Sequence, residues 1–154
     1  MNSNGDSGML LGDKRVLIIG GLGFIGRYLI HEFLAAGWSV LVLDDLSSST
    51  LEPVIVHPAL SIHVGSVLDR QRLSLLLGKS DLVINLAGVV GMKLAHAQRE
   101  RSYRVSVEGT ANILDLAHHQ PLVCMSSSAV YGVHRNESVS ERDACSEDEV
   151  LAYD

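Results

Sequence analysis

The glycine run Gly20-Gly21-Leu22-Gly23-Phe24-Ile25-Gly26, with Gly20, Gly23 and Gly26 three apart, constrains this chain more than any other feature. Before it, Lys14 to Ile19 is a short β-branched run that reads as a strand buried on both faces. After it, Phe24, Tyr28, Leu29, Phe33 and Ala36 recur at helical spacing up to Gly37, a natural helix stop. Strand, tight turn and helix therefore meet at the glycines. The first glycine permits the turn, the second lets another group approach the backbone, and the third lets helix and strand pack closely. A helix that starts in this way offers its N-terminal amides to a phosphate.

The same alternation continues along the chain. Trp38 to Leu43 reads as a second buried strand ending at Asp44, and Ser47 to Thr50 with Pro53 to Pro58 as a long connection. Leu60 to Val64 is a third strand, Asp69 to Leu77 a helix and Asp81 to Leu86 a fourth strand. Arg104 to His118 is a helix with Val105, Ile113, Leu116 and Ala117 on its apolar side, and Leu122 to Met125 a fifth strand. Strands alternating with helices describe an α/β fold with a parallel sheet covered on both faces. Right-handed crossovers favour the doubly wound order 3-2-1-4-5 of a Rossmann-type domain. Residues 1–13 read as a flexible start, 14–154 as one domain, and His134 to Glu149 as a surface loop.

Composition narrows the partners. Apolar residues make up 47% and charged residues 19% of the 154, which is a globular balance, and the net charge of -6 argues against nucleic acid. No apolar run approaches the roughly 18 residues that cross a bilayer. Met1 to Gly12 carries no basic apolar leader, so the expected compartment is the cytoplasm. Cys124 lies in an apolar run and Cys145 in an acidic stretch, which suggests a buried small hydrophobe and an exposed thiol, with neither a disulfide framework nor a metal site.

The glycine motif gains meaning from Asp44, about 20 residues onward at the end of the second strand. A carboxylate there accepts hydrogen bonds from the hydroxyls of an adenosine ribose and repels a 2'-phosphate, which favours NAD over NADP. Capping of the next turn by Asp44 or Asp45 is the competing explanation. Leu86-Ala87-Gly88 offers small residues where a dinucleotide would cross the switch point between strands 1 and 4. Ser126-Ser127-Ser128 ends the fifth strand, where a hydroxyl could meet a substrate oxygen or serve only the turn.

Five segments in this order resemble the extended short-chain dehydrogenase/reductase family, the NAD-dependent sugar-nucleotide epimerases and dehydratases. They are GGLGFIG at Gly20 to Gly26, DDLSSS at Asp44 to Ser49, NLAG at Asn85 to Gly88, VEGT at Val107 to Thr110 and SSSAVYG at Ser126 to Gly132. The resemblance implies that the Phe24 and Ile25 backbone meets the pyrophosphate. It also implies that Asp44, Asp45, Leu46 and Ser47 lie around the ribose, Ser66 and Val67 beside the adenine, and Leu86, Ala87 and Gly88 on the nicotinamide side. Ser66 stands where the family usually has Asp, and Ser106 where it usually has an Asn that supports the active-site water network.

For catalysis, the resemblance implies that Ser127 binds the reacting sugar oxygen and that Tyr153 is the general base of a Y-x-x-x-K motif. The lysine position falls four residues beyond Tyr153, past Asp154. Without a nearby cation a phenol keeps a pKa of about 10, and the family's substrate domain is expected beyond this portion. The chain alone is therefore expected to bind NAD poorly and to turn over nothing. The complete enzyme is expected to act on a nucleotide sugar. Other readings stay open: a non-catalytic NAD-binding or redox-sensing module, or an interaction protein that pairs through an exposed sheet edge, as a homo-oligomer or with a complementing C-terminal segment.

Overall fold

The computed structural model describes residues 14–48, 56–89, 91–131 and 138–142. The expected N-terminal tail, Cys145, Tyr153 and most of the surface loop lie outside these residues. In chain order the elements are β1 (Arg15–Ile19), α1 (Phe24–Ala35), β2 (Ser39–Asp44), β3 (Leu60–Val64), α2 (Arg70–Leu77) and β4 (Leu82–Asn85). Then come α3 (Met92–Ala97), α4 (Arg99–Tyr103), a π-helical turn (Arg104–Glu108), α5 (Gly109–Leu116), β5 (Leu122–Cys124) and a 3-10 turn (Ser128–Tyr131).

The strands pair in the order β3-β2-β1-β4-β5, all parallel, as the alternation predicts. Successive residues of β1 feed opposite faces. Leu17 and Ile19 join Leu41, Leu43 and Val83 beneath Leu73, Leu76 and Leu77 of α2 and Ile113 of α5. Val16 and Ile18 join Val40, Val42 and Ile84 against Ile30 of α1 and Leu22 of the glycine turn. From Val16 to Ile19 each β1 side chain is thus buried on one side or the other, which is why the strand reads as a continuous apolar run.

Two expectations change, on Cys124 and on where helix begins before Arg104. Phe24 and Tyr28 keep the helical spacing, are exposed and meet edge to face at 5.4 Å. The face of α1 that packs on the sheet carries Ile30, with Leu29, Phe33 and Leu34 partly buried beside it. Cys124 is exposed, because β5 is an edge strand paired only with β4 among the described residues. Helix extends further back than Arg104: α3 begins after Gly91, whose φ is +99°, and α4 runs into the π turn and α5. Arg99-Glu100-Arg101-Ser102-Tyr103 is almost wholly polar, so it has no apolar stripe from which a helix could be read. Among the described residues no helix is long and apolar enough to cross a membrane.

Candidate functional site

The carboxyl ends of the strands converge on one cavity of about 320 Å³, a size within the range typical of small-molecule sites. Its walls include Ile19 at the end of β1, Leu43 and Asp44 at the end of β2, Leu86 after β4 and Met125 after β5. This is the crevice where strand order reverses.

The glycine turn forms one wall, and its glycines serve different ends. Gly20 has φ +74°, and a Cβ there would lie 2.9 Å from the backbone N of Ala87, so the turn runs directly against the end of β4. A Cβ on Gly26 would fall on the backbone of Gly21, so the missing side chain lets α1 close onto the turn. Gly23 differs. Among the described residues a Cβ there would meet only the Gly20 carbonyl oxygen, at 3.4 Å, so none of their packing demands a glycine. Gly23 also precedes the first residue of α1, which has no side-chain cap among the described residues, and Phe24 and Ile25 of that first turn line the cavity. The Arg27 Nε–H donates to the Leu22 carbonyl at 2.9 Å and steadies the turn from inside the helix.

Asp44 is buried and holds two backbone amides, Leu22 N–H on Oδ2 at 2.9 Å and Leu46 N–H on Oδ1 at 2.9 Å. It therefore does shape the following turn, where Leu46 has φ +60°. Asp44 also lines the cavity, so the residue that caps the turn stands at the candidate site. Asp45 accepts from Ser47 N–H at 3.0 Å and from Arg101 Nη2 at 3.1 Å. Burial pushes the Asp45 carboxyl up, but the hydrogen bonds from Ser47 and Arg101 and the Arg101 charge outweigh it, leaving it below its ordinary value.

Asn85 closes the β4 end. Its Nδ2 donates to Thr110 Oγ1 at 3.2 Å and its Oδ1 accepts Ala87 N–H at 3.1 Å, which sets the path of Leu86, Ala87 and Gly88 along the cavity. Ser66 Oγ accepts Leu68 N–H at 3.1 Å, a local turn that presents Ser66 and Val67 to the same space.

Of the residues expected from sequence, Gly20, Gly23, Phe24, Ile25, Gly26, Asp44, Asp45, Ser47, Ser66, Val67, Leu86, Ala87 and Gly88 share this cavity. Leu46 stands outside its wall, its side chain packed against the cluster around Val16 and Ile18. Ser106 lies in the π turn, its Oγ 4.0 Å from where a Gly88 Cβ would be. Ser127 is exposed two residues beyond Met125, and its carbonyl accepts Val130 N–H at 3.2 Å. Arg101, Val105 and Met125 line the cavity without having been expected. Arg101 and Val105 are four apart and would have announced a cavity-facing row had the helix been extended back through α4.

A family model described as the NAD-dependent epimerase/dehydratase family matches residues 16–151. The chain belongs to that family. The family's cofactor is NAD, and the cavity suits it: a turn with open space at Gly23, an uncapped helix start and a buried carboxylate at the end of β2. Among similar proteins, a UDP-glucose 4-epimerase from Dictyostelium discoideum is 26% identical over 84% of this chain and 40% of its own length. A 3-beta-hydroxysteroid dehydrogenase from Mycolicibacterium neoaurum is 27% identical over 90% of this chain and 37% of its own. The crystal structure of UDP-glucose 4-epimerase from Brucella ovis in complex with NAD superposes with a TM-score of 0.76, at 29% identity, covering 86% of this chain and 42% of that one. The chain thus spans about two fifths of the length of these relatives.

Proposed function

We propose that the cavity binds NAD as part of a protein that catalyses reversible hydride transfer at a carbinol of a nucleotide sugar. The observation that carries the cofactor half is the open space at Gly23, which neither strand nor helix needs and which a pyrophosphate would fill. The Phe24 and Ile25 amides would hold that pyrophosphate. Asp44 would take the ribose hydroxyls, with Asp45 and Ser47 beside it, Ser66 and Val67 would border the adenine, and Leu86 to Gly88 the nicotinamide. NAD supplies the hydride acceptor; this chain's residues orient it and exclude water from the crevice.

The substrate half rests on the sequence motifs and on the UDP-sugar epimerases among the relatives. In this reading Ser127 donates a hydrogen bond to the reacting sugar oxygen and Tyr153 removes its proton, while Ser106 supports the water structure nearby. Titration of the protein with NADH tests the cofactor assignment: binding lost in Gly23→Val with a native circular dichroism spectrum is expected, and undiminished binding in that variant would refute it. Wherever turnover of a UDP-sugar is measured, Tyr153→Phe should lower it by about 10²- to 10⁴-fold and leave NADH affinity unchanged.

A further inference from the structure

Arg101 lines the cavity beside Asp45. It comes from α4, 56 residues away in sequence from Asp45, and its Nη2 donates to Asp45 Oδ2 at 3.1 Å while its Nη1 donates to Gln98 Oε1 at 3.1 Å. Val105, one helical turn on, lines the same wall. Among the described residues the charged ones of the cavity wall are Asp44, Asp45 and Arg101. A dinucleotide carries two negative charges on its diphosphate, so without the guanidinium it would meet a wall in which the charge of Asp45 has lost its ion-pair partner.

We propose that Arg101 is a positioning residue for the anionic cofactor: by cancelling the charge of Asp45, it lets a diphosphate ligand occupy a cavity whose wall carries two carboxylates. The inference rests on the cofactor reading above and adds a residue to it. Asp44 offers its carboxylate oxygens to ribose hydroxyls, whereas Asp45 is a charge beside it whose field the ligand must meet. Arg101 removes that field at its source, and Gln98 holds the guanidinium in the orientation that reaches Asp45.

The role is electrostatic and acts through Asp45, which separates it from a simple packing contact. Partial exposure of both side chains, 38% for Arg101 and 35% for Asp45, sets a modest size and a marked salt dependence. Arg101→Gln should raise the NADH and ADP-ribose dissociation constants by about three- to tenfold at low ionic strength, with the loss shrinking as salt is added. Adenosine, which carries no phosphate, should bind the two forms alike. Arg101→Lys, which keeps the charge, should stay close to wild type.

The decisive measurement is the pair Arg101→Gln and Asp45→Asn/Arg101→Gln, titrated with NADH, ADP-ribose and adenosine at low and high salt. The expected result is recovery of NADH and ADP-ribose affinity in the double variant to within about twofold of wild type. An Arg101→Gln protein that binds NADH like wild type, or a double variant with no recovery, overturns the role through Asp45 while wild-type binding and its loss in Gly23→Val leave the cofactor reading intact. A wild type that binds NADH no more tightly than Gly23→Val overturns both.

Discussion

The backbone N–H of Leu22 donates to Asp44 Oδ2 at 2.9 Å in a buried setting, tying the end of β2 to the glycine turn that follows β1. One carboxylate thereby serves both the fold and the site. The first prediction concerns both. Asp44→Ala should destabilise the protein by about 1–3 kcal/mol, because the Leu22 amide loses its acceptor, and should weaken NADH binding more than NADPH binding. Thermal melts and parallel titrations at one salt concentration check the two effects. Equal discrimination between the cofactors before and after substitution would remove Asp44 from ribose selection.

Gly23 and Gly26 should part company on substitution by alanine. At Gly26 the added carbon collides with Gly21 backbone, so Gly26→Ala should cost about 1–3 kcal/mol or more as α1 is pushed off the turn. At Gly23 it meets only one oxygen at ordinary contact distance, so Gly23→Ala should melt close to wild type and lose NADH affinity. Comparing melting temperature with the NADH dissociation constant for the two variants tests whether the glycines divide between packing and ligand.

Acid should leave the Asp45–Arg101 pair intact longer than an ordinary carboxylate would allow. The folded-state pKa of Asp45 is lowered, so its contribution to stability is present above the unfolded value, about 3.9, and disappears as pH falls through the lower folded value. Stability of wild type and Asp45→Asn should accordingly differ by a constant amount from pH 8 to pH 5 and converge only below about pH 4. Urea unfolding of both proteins across that range measures the difference, and convergence already at pH 5 would contradict a lowered pKa.

The strand order was legible because each of the central strands β1, β2 and β4 is an unbroken apolar run bounded by turn residues, and burial on both faces leaves no other reading. Gly20, Gly26 and Asp44 were legible because their positions follow from backbone geometry: a positive φ, a close helix–turn contact and a strand end. Arg101 was not, since its role depends on where α4 lies relative to the turn after β2, and nothing in a polar five-residue stretch encodes that. The exposure of Cys124 escaped for a similar reason. Helical or apolar spacing identifies an element, while the face it buries depends on which neighbours cover it.

The last prediction separates Asn85 from its partner Thr110. Asn85 is buried and links three segments: its own strand β4, α5 through Thr110 Oγ1 at 3.2 Å, and the cavity wall through the Ala87 amide at 3.1 Å. Thr110→Val removes one of those bonds and leaves the Ala87 contact, so it should cost about 1 kcal/mol in stability and little in NADH affinity. Asn85→Ala removes both, leaves the Ala87 N–H without its side-chain acceptor and frees the path of Leu86 to Gly88. It should therefore cost about 1–3 kcal/mol and weaken NADH binding as well, because the residues it released line the cofactor cavity. Asn85→Asp keeps an oxygen for the Ala87 N–H and can accept from the Thr110 hydroxyl, so it should recover part of the affinity lost in Asn85→Ala. Melting temperatures and NADH titrations of the three variants decide the matter, and an Asn85→Ala protein that is destabilised with unchanged affinity would restrict Asn85 to holding β4 against α5.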